Sequence, residues 1–289
     1  MNKLRTLSFV VGFLVGTSSF ANERLGDSQG KNPQGAVRAP SSVQVETCES
    51  MTHDFKTLES QEYFLSQCFD HYLGSAKPGA VKHSEDGRTL VFGYESMLFS
   101  KIADKRFVIA GLASRLSSVR SLALDARKNE VWVLDADRIF VFPLGVSGNR
   151  APLRGLEGRW IRGVSALAVD SENDEVYALN PSLQRVLVYD RNADMLYRSR
   201  TKKLAPKREV YAKNREILDA TSLFACSQRK DFGVLVPSHG KIYFFASQAK
   251  GWTQPTAFLG VASNAVAASC SGERIQVLDS DGLISDIRP

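Results

Sequence analysis

The sequence predicts an all-β fold, a five-bladed β-propeller with a short N-terminal helix, and three observations carry that expectation. From residue 79 onward, apolar groups of four to six residues alternate with Asp, Asn, Ser and Gly, the pattern of short strands joined by turns. The groups recur in fixed order: VRSLALD, NEVWVLD and RIFVFPL within 119–144 are answered by VSALAVD, DEVYALN and RVLVYDR within 164–191. No helix-length apolar pattern separates them, which disfavours a sheet wound with helices.

Five first strands can be aligned: AVKHS, VRSLALD, VSALAVD, SLFACS and AVAASC. Their markers His83, Asp125, Asp170, Cys226 and Cys270 are 42, 45, 56 and 44 residues apart, the length of one four-stranded blade. Second strands follow as RTLVFGY, NEVWVLD, DEVYALN, DFGVLVP and RIQVLDS, and third strands as SMLFSKI, RIFVFPL, RVLVYDR, KIYFFAS and GLISDIR. The turns suit their places. Asp86–Gly87 and Asp281–Gly282 tolerate positive φ, while Asn173–Asp174 and Asn180–Pro181 start turns through side-chain bonds to backbone.

A lone blade cannot bury both faces, whereas blades set radially stack face on face. Ala123, Ala168, Ala225, Ala267 and Ala268 in first strands suit the crowded axis, and Trp132, Tyr177, Phe140 and Phe244 suit the widening wedges. A β-sandwich is the alternative architecture, but it does not explain the recurring order of strand types. The 56-residue interval has room for an insertion over 195–220 rather than a full blade, so five blades are expected, with six as the alternative. The last unit is short, and VQVETC near the N terminus is the candidate to complete it, because an open ring exposes a sheet edge.

Ahead of the repeats, residues 1–21 read as a signal peptide: Lys3 and Arg5, an apolar core LSFVVGFLVG, then small Ser19 and Ala21 at the cut. Residues 22–41 read as a polar, flexible leader, and 42–78 as a strand and a helix over about 53–73 packed on the propeller of 79–289. A bacterial protein exported to the periplasm or secreted is the expectation, with no transmembrane segment after cleavage. Removing Lys3 and Arg5 takes the net charge from +6 to +4, too mild for a dedicated nucleic-acid binder.

The four cysteines, Cys48, Cys68, Cys226 and Cys270, allow two disulfides in three connectivities. Cys226 and Cys270 end neighbouring first strands, which favours their pairing and leaves Cys48 with Cys68. No CxxC or CxxCH occurs, so neither a thioredoxin-like site nor a haem attachment is indicated.

The unit SALAVDSENDEVYALNPSLQRVLVYD resembles an NHL-type or YVTN-type propeller repeat, with the match best over 119–142 and 164–190. The resemblance implies a propeller that hosts protein interaction, RNA binding or lactone hydrolysis, and the fold alone does not choose among them. Lactonase-like relatives hold a central cation with Glu, Asn and Asp. Asp125, Asp135, Asp170, Asn180 and Asp279 are the matching oxygen donors here, although each also suits a hairpin cap. DSDG at 279–282 resembles the start of a calcium loop but lacks its glutamate. His53, His71, His83 and His239 form no metal motif, and neither GxSxG nor a Walker motif appears, so no catalytic residue, metal or cofactor is assigned.

Charge concentrates in YRSRTKKLAPKREVYAKNR, where Arg198, Arg200, Lys202, Lys203, Lys207 and Arg208 make a basic insertion; Arg159, Arg162 and Arg185 join its field if the loops share a face. The expected function is therefore an exported, non-catalytic propeller that binds a protein or an anionic envelope polymer or lipid. A cation-dependent hydrolase or lyase of the lactonase-like type is the alternative.

Overall fold

The computed structural model describes residues 80–84, 88–193, 205–214, 216–280 and 283–287, which form a five-bladed β-propeller. The first blade holds β1 (Ala80–His83), β2 (Thr89–Tyr94), β3 (Met97–Ile102) and β4 (Lys105–Ile109); the second holds β5 (Val119–Asp125), β6 (Glu130–Asp135), β7 (Arg138–Pro143) and β8 (Arg154–Glu157). The third comprises β9 (Ala166–Asp170), β10 (Glu175–Asn180), β11 (Arg185–Asp190) and β12 (Arg208–Ala212). The fourth comprises β13 (Ser222–Cys226), β14 (Asp231–Val236), β15 (Lys241–Ala246) and β17 (Ala257–Gly260). Between β15 and β17 the chain returns to the third blade as β16 (Gly251–Thr253), parallel to β12. The fifth blade has β18 (Ala265–Ser271), β19 (Arg274–Asp279) and β20 (Ile284–Ile287).

Within each blade consecutive strands pair antiparallel, so side chains alternate between the neighbouring blades. Tyr177, Val186, Val188 and Val210 of the third blade face the fourth, while Val176, Ala178, Leu187 and Tyr189 face the second. Trp132, Tyr177, Phe140 and Phe244 are fully buried in the wedges between neighbouring blades, each contributing about 1.5–3 kcal/mol by leaving water. Gly233, mid-strand in β14, shows how tight the fit is: a Cβ there would lie 2.2 Å from the Phe224 ring.

The insertion does not build a sixth blade, since β12 is simply the fourth strand of the third. The Cys226–Cys270 disulfide is formed, with Cα atoms 5.5 Å apart. The expected signal peptide (1–21), leader (22–41), N-terminal strand and helix (42–78) and Cys48–Cys68 bond lie outside the described residues. No described helix is long and apolar enough to cross a membrane.

Candidate binding surface

Antiparallel pairing gives every blade two ends. Turns joining first to second strands lie at the end we call the top, with the connection from β11 to β12. Turns joining second to third strands, and the links between blades, lie at the bottom.

This division separates the predicted basic residues. Lys207 precedes β12 at the top, whereas Arg198, Arg200, Lys202 and Lys203 lie outside the described residues. Arg185 opens β11 at the bottom, and Arg159 and Arg162 lie in the bottom link between β8 and β9. Lys207 and these three arginines therefore stand at opposite ends of the propeller.

Arg208 is not an exposed binding group. It is buried and forks onto Glu175, with Nη2 2.6 Å from Oε2 and Nη1 on Oε1, while its Nε donates to the Ala249 carbonyl at 3.0 Å. Lys207, although exposed, donates to Glu175 Oε1 at 2.8 Å. Burial alone would raise the Glu175 carboxyl, but hydrogen bonds from Arg208 and Lys207 outweigh it and hold the group below its usual range. The same device stands in the second blade, where Arg154 forks onto Glu130 at 2.9 and 2.7 Å and lies over the Trp132 ring, as Arg208 lies over Tyr177.

The proposed cation ligands are likewise divided. Asp125 and Asp170 end first strands at the top, whereas Asp135, Asn180 and Asp279 end second strands at the bottom. Their oxygens are occupied: Asp125 accepts from Lys128 N and Ser171 Oγ, Asp170 from Asn173 Nδ2 and Ser227 Oγ, and Asp135 from the Ser117 and Ser118 amides. Asn180 accepts from the Leu183 amide and Asp279 from the Leu283 amide. These donors do not fit a single cation cage, and no group of three or more His, Cys, Asp or Glu placed to hold a metal occurs among the described residues.

The bottom rim of the second and third blades gathers a different set. Arg159 lies over the Trp160 ring at 5.1 Å, and Trp160 packs against the core between these blades. Arg185 lies over Tyr211 at 4.9 Å, and Tyr211 stacks at 5.3 Å on Trp252, a residue 73% exposed. Strand alternation turns Arg185, Glu209 and Tyr211 toward the second blade, on the same side as Leu187 and Tyr189.

Glu209 fixes this rim by accepting from Arg185 Nη1 at 2.9 Å and from the Tyr211 hydroxyl at 2.7 Å. That bond to Glu209, then burial, raises the Tyr211 hydroxyl above its usual range. Two polar atoms beneath are buried without a partner, Arg185 Nε and the Tyr189 hydroxyl. Arg162 is exposed beside them, its carbonyl accepting from Asn180 Nδ2 at 2.8 Å. Arg159, Arg162 and Arg185 thus all lie at the bottom end, while Trp160, Tyr211 and Trp252 were not singled out by the sequence. The tryptophan reaches the third blade only because β16 crosses back to it, and a three-residue strand leaves no periodic signal.

No family model matches the chain, and no curated protein matches it. Among solved structures, it is similar to the WD40 β-propeller domain of Doa1 (TM-score 0.46, 15% identity, covering 73% of this chain and 64% of that one). It is also similar to the Cps50 (Swd1) β-propeller domain of Myceliophteria thermophila (0.49, 12%, covering 72% and 64%). A third match is a chain of a mitotic checkpoint complex (0.48, 12%, covering 72% and 75%). The chain spans 64% of the length of the first two. The expected NHL-type or YVTN-type membership is corrected by these comparisons: no such family model matches, and the propeller named by type is WD40. The expected periplasmic or secreted bacterial location is likewise not upheld: these matches are to a Doa1 domain, a Swd1 domain and a mitotic checkpoint complex.

Proposed function

We propose that the protein is a non-catalytic binding propeller whose bottom rim, across the second and third blades, docks an acidic segment of another protein. The observation that carries this reading is the exposed Trp252 stacked on Tyr211 beneath Arg185, beside Arg159 on Trp160. Trp, Tyr and Arg dominate the energetics of protein interfaces, because each adds large apolar area with a polar or charged edge and few rotors to freeze. Arg159 and Arg162 form no ion pair among the described residues and supply positive charge around that apolar centre.

The basic segment ahead of β12 in the sequence, with Arg198, Arg200, Lys202 and Lys203, is a second anionic contact under the same reading. Affinity capture from the source cells compares the native chain with Trp252→Ser combined with Arg159→Glu, and separately with charge reversal at Lys202 and Lys203. Loss of a specific partner in the rim variant, and its release at about 0.5 M salt, supports docking at the rim. A partner held undiminished by the rim variant, or none held by the native chain, overturns it.

A further inference from the structure

The first strands of all five blades enclose an axial cavity of about 340 Å³ that opens at the top, far from the rim described above. Its wall carries Leu124, Val169 and Ala225 from the second, third and fourth blades, and Ser269 from the fifth. The first blade departs from this pattern. One residue before each marker, where the others place Leu, Val, Ala or Ser, it places Lys82, with Ser84 nearer the mouth.

The Lys82 ammonium forms no hydrogen bond or ion pair with any described residue, yet it lines the cavity and is partly buried. Burial pulls it below the usual lysine range, and no described charge contributes. The other charged residues lining the cavity, Arg127 and Glu172, are matched. Arg127 at the mouth pairs with Glu172 at 3.0 Å, and the buried carboxylates of Asp125 and Asp170 are held by serine hydroxyls and turn amides. One ammonium without a partner among the described residues therefore faces a partly open cavity whose inner wall is apolar and hydroxylic, with Arg127, Glu172 and Gln228 nearer the mouth. An isolated buried ammonium is costly, and an anion that enters relieves the cost while its apolar part leaves water.

We propose that the axial cavity binds a small organic monoanion, its carboxylate on Lys82 with Ser269 as a further donor, its aliphatic body against Leu124, Val169 and Ala225. A single ammonium matches one negative charge better than a dianion, and the three aliphatic side chains favour a ligand with a hydrocarbon portion over a bare inorganic ion. This pocket is independent of the rim and of the protein partner proposed there.

Reductive methylation of the full chain with ¹³C-formaldehyde places an NMR reporter on each lysine, and the Lys82 resonance is the one missing in Lys82→Met. Without ligand it titrates below the other lysines. Saturating sodium butyrate raises its midpoint by about one unit, the mark of a roughly tenfold preference of the carboxylate for the protonated amine. In Ala225→Phe, which fills the cavity and leaves Lys82 in place, butyrate produces no such rise. A Lys82 midpoint equal to those of surface lysines, or no response to about 50 mM butyrate, a concentration that detects binding of about −2 kcal/mol, overturns the proposal. An equal response in Ala225→Phe overturns it too, as does a response to inorganic phosphate but not to butyrate.

Discussion

The hydroxyl of Ser171 in the third blade donates to the fully buried carboxylate of Asp125 in the second at 2.8 Å. One blade further round, Ser227 donates to Asp170 at 3.0 Å, so the same latch joins the third blade to the fourth. At the next junction the repeat position of Asp125 and Asp170 is held by Cys226, which is bonded covalently to Cys270 in the fifth blade. Two hydrogen-bonded latches and one disulfide therefore occupy equivalent points near the axis.

Removing a latch hydroxyl leaves its carboxylate buried with one bond fewer. Ser171→Ala is expected to destabilise the fold by about 1.5–3 kcal/mol, the usual loss for a hydrogen bond to a charged group, read as a shift in the urea midpoint. Ser171→Thr, which keeps the hydroxyl, is expected to stay much closer to the native value.

The disulfide closes a 44-residue interval and is expected to contribute about 2–4 kcal/mol. Non-reducing peptide mapping is expected to show Cys226 linked to Cys270, and Cys226→Ser with Cys270→Ser to lower the melting temperature without altering the circular dichroism of the folded state. Free thiols at both positions would contradict the pairing.

Arg208 serves the fold. Arg208→Met strands Glu175 inside the wedge and is expected to cost about 3–5 kcal/mol. The carboxyl's folded value lies below its ordinary 4.5, so its contribution is fully present above that pH and fades as the pH falls through the folded value. Stability measured between about pH 6 and 3 is expected to fall less steeply in Glu175→Gln than in the native chain. An unaltered acid slope would show that the pair does not stabilise the fold.

Gly233 admits no side chain. Gly233→Ala places a methyl against the Phe224 ring and is expected to cost about 1–3 kcal/mol, partly recovered when Phe224→Leu is added, as a double-mutant cycle would show.

Much of this fold is legible in the chain because each blade restates one strand order, and the equivalence of Cys226 and Cys270 follows from the same alignment. The role of Arg208 was legible in principle. Arg154 follows its partner Glu130 by 24 residues, whereas Arg208 follows Glu175 by 33, and the insertion between them hides the correspondence. Read locally, Arg208 belongs to a basic run; read as a repeat, it is the counterpart of Arg154. Two features lie beyond pattern reading. The rim depends on β16 returning to an earlier blade, and the isolation of Lys82 depends on five strands converging on one axis.

The central claim, that the bottom rim is the docking surface, is tested most directly by hydrogen exchange on the captured complex. The account predicts slowed exchange in residues 158–163, in β12 and in β16, with the top turns at 126–129 and 171–174 unchanged. Protection confined to those top turns, with Trp252 and its neighbours exchanging as in the free protein, would contradict it.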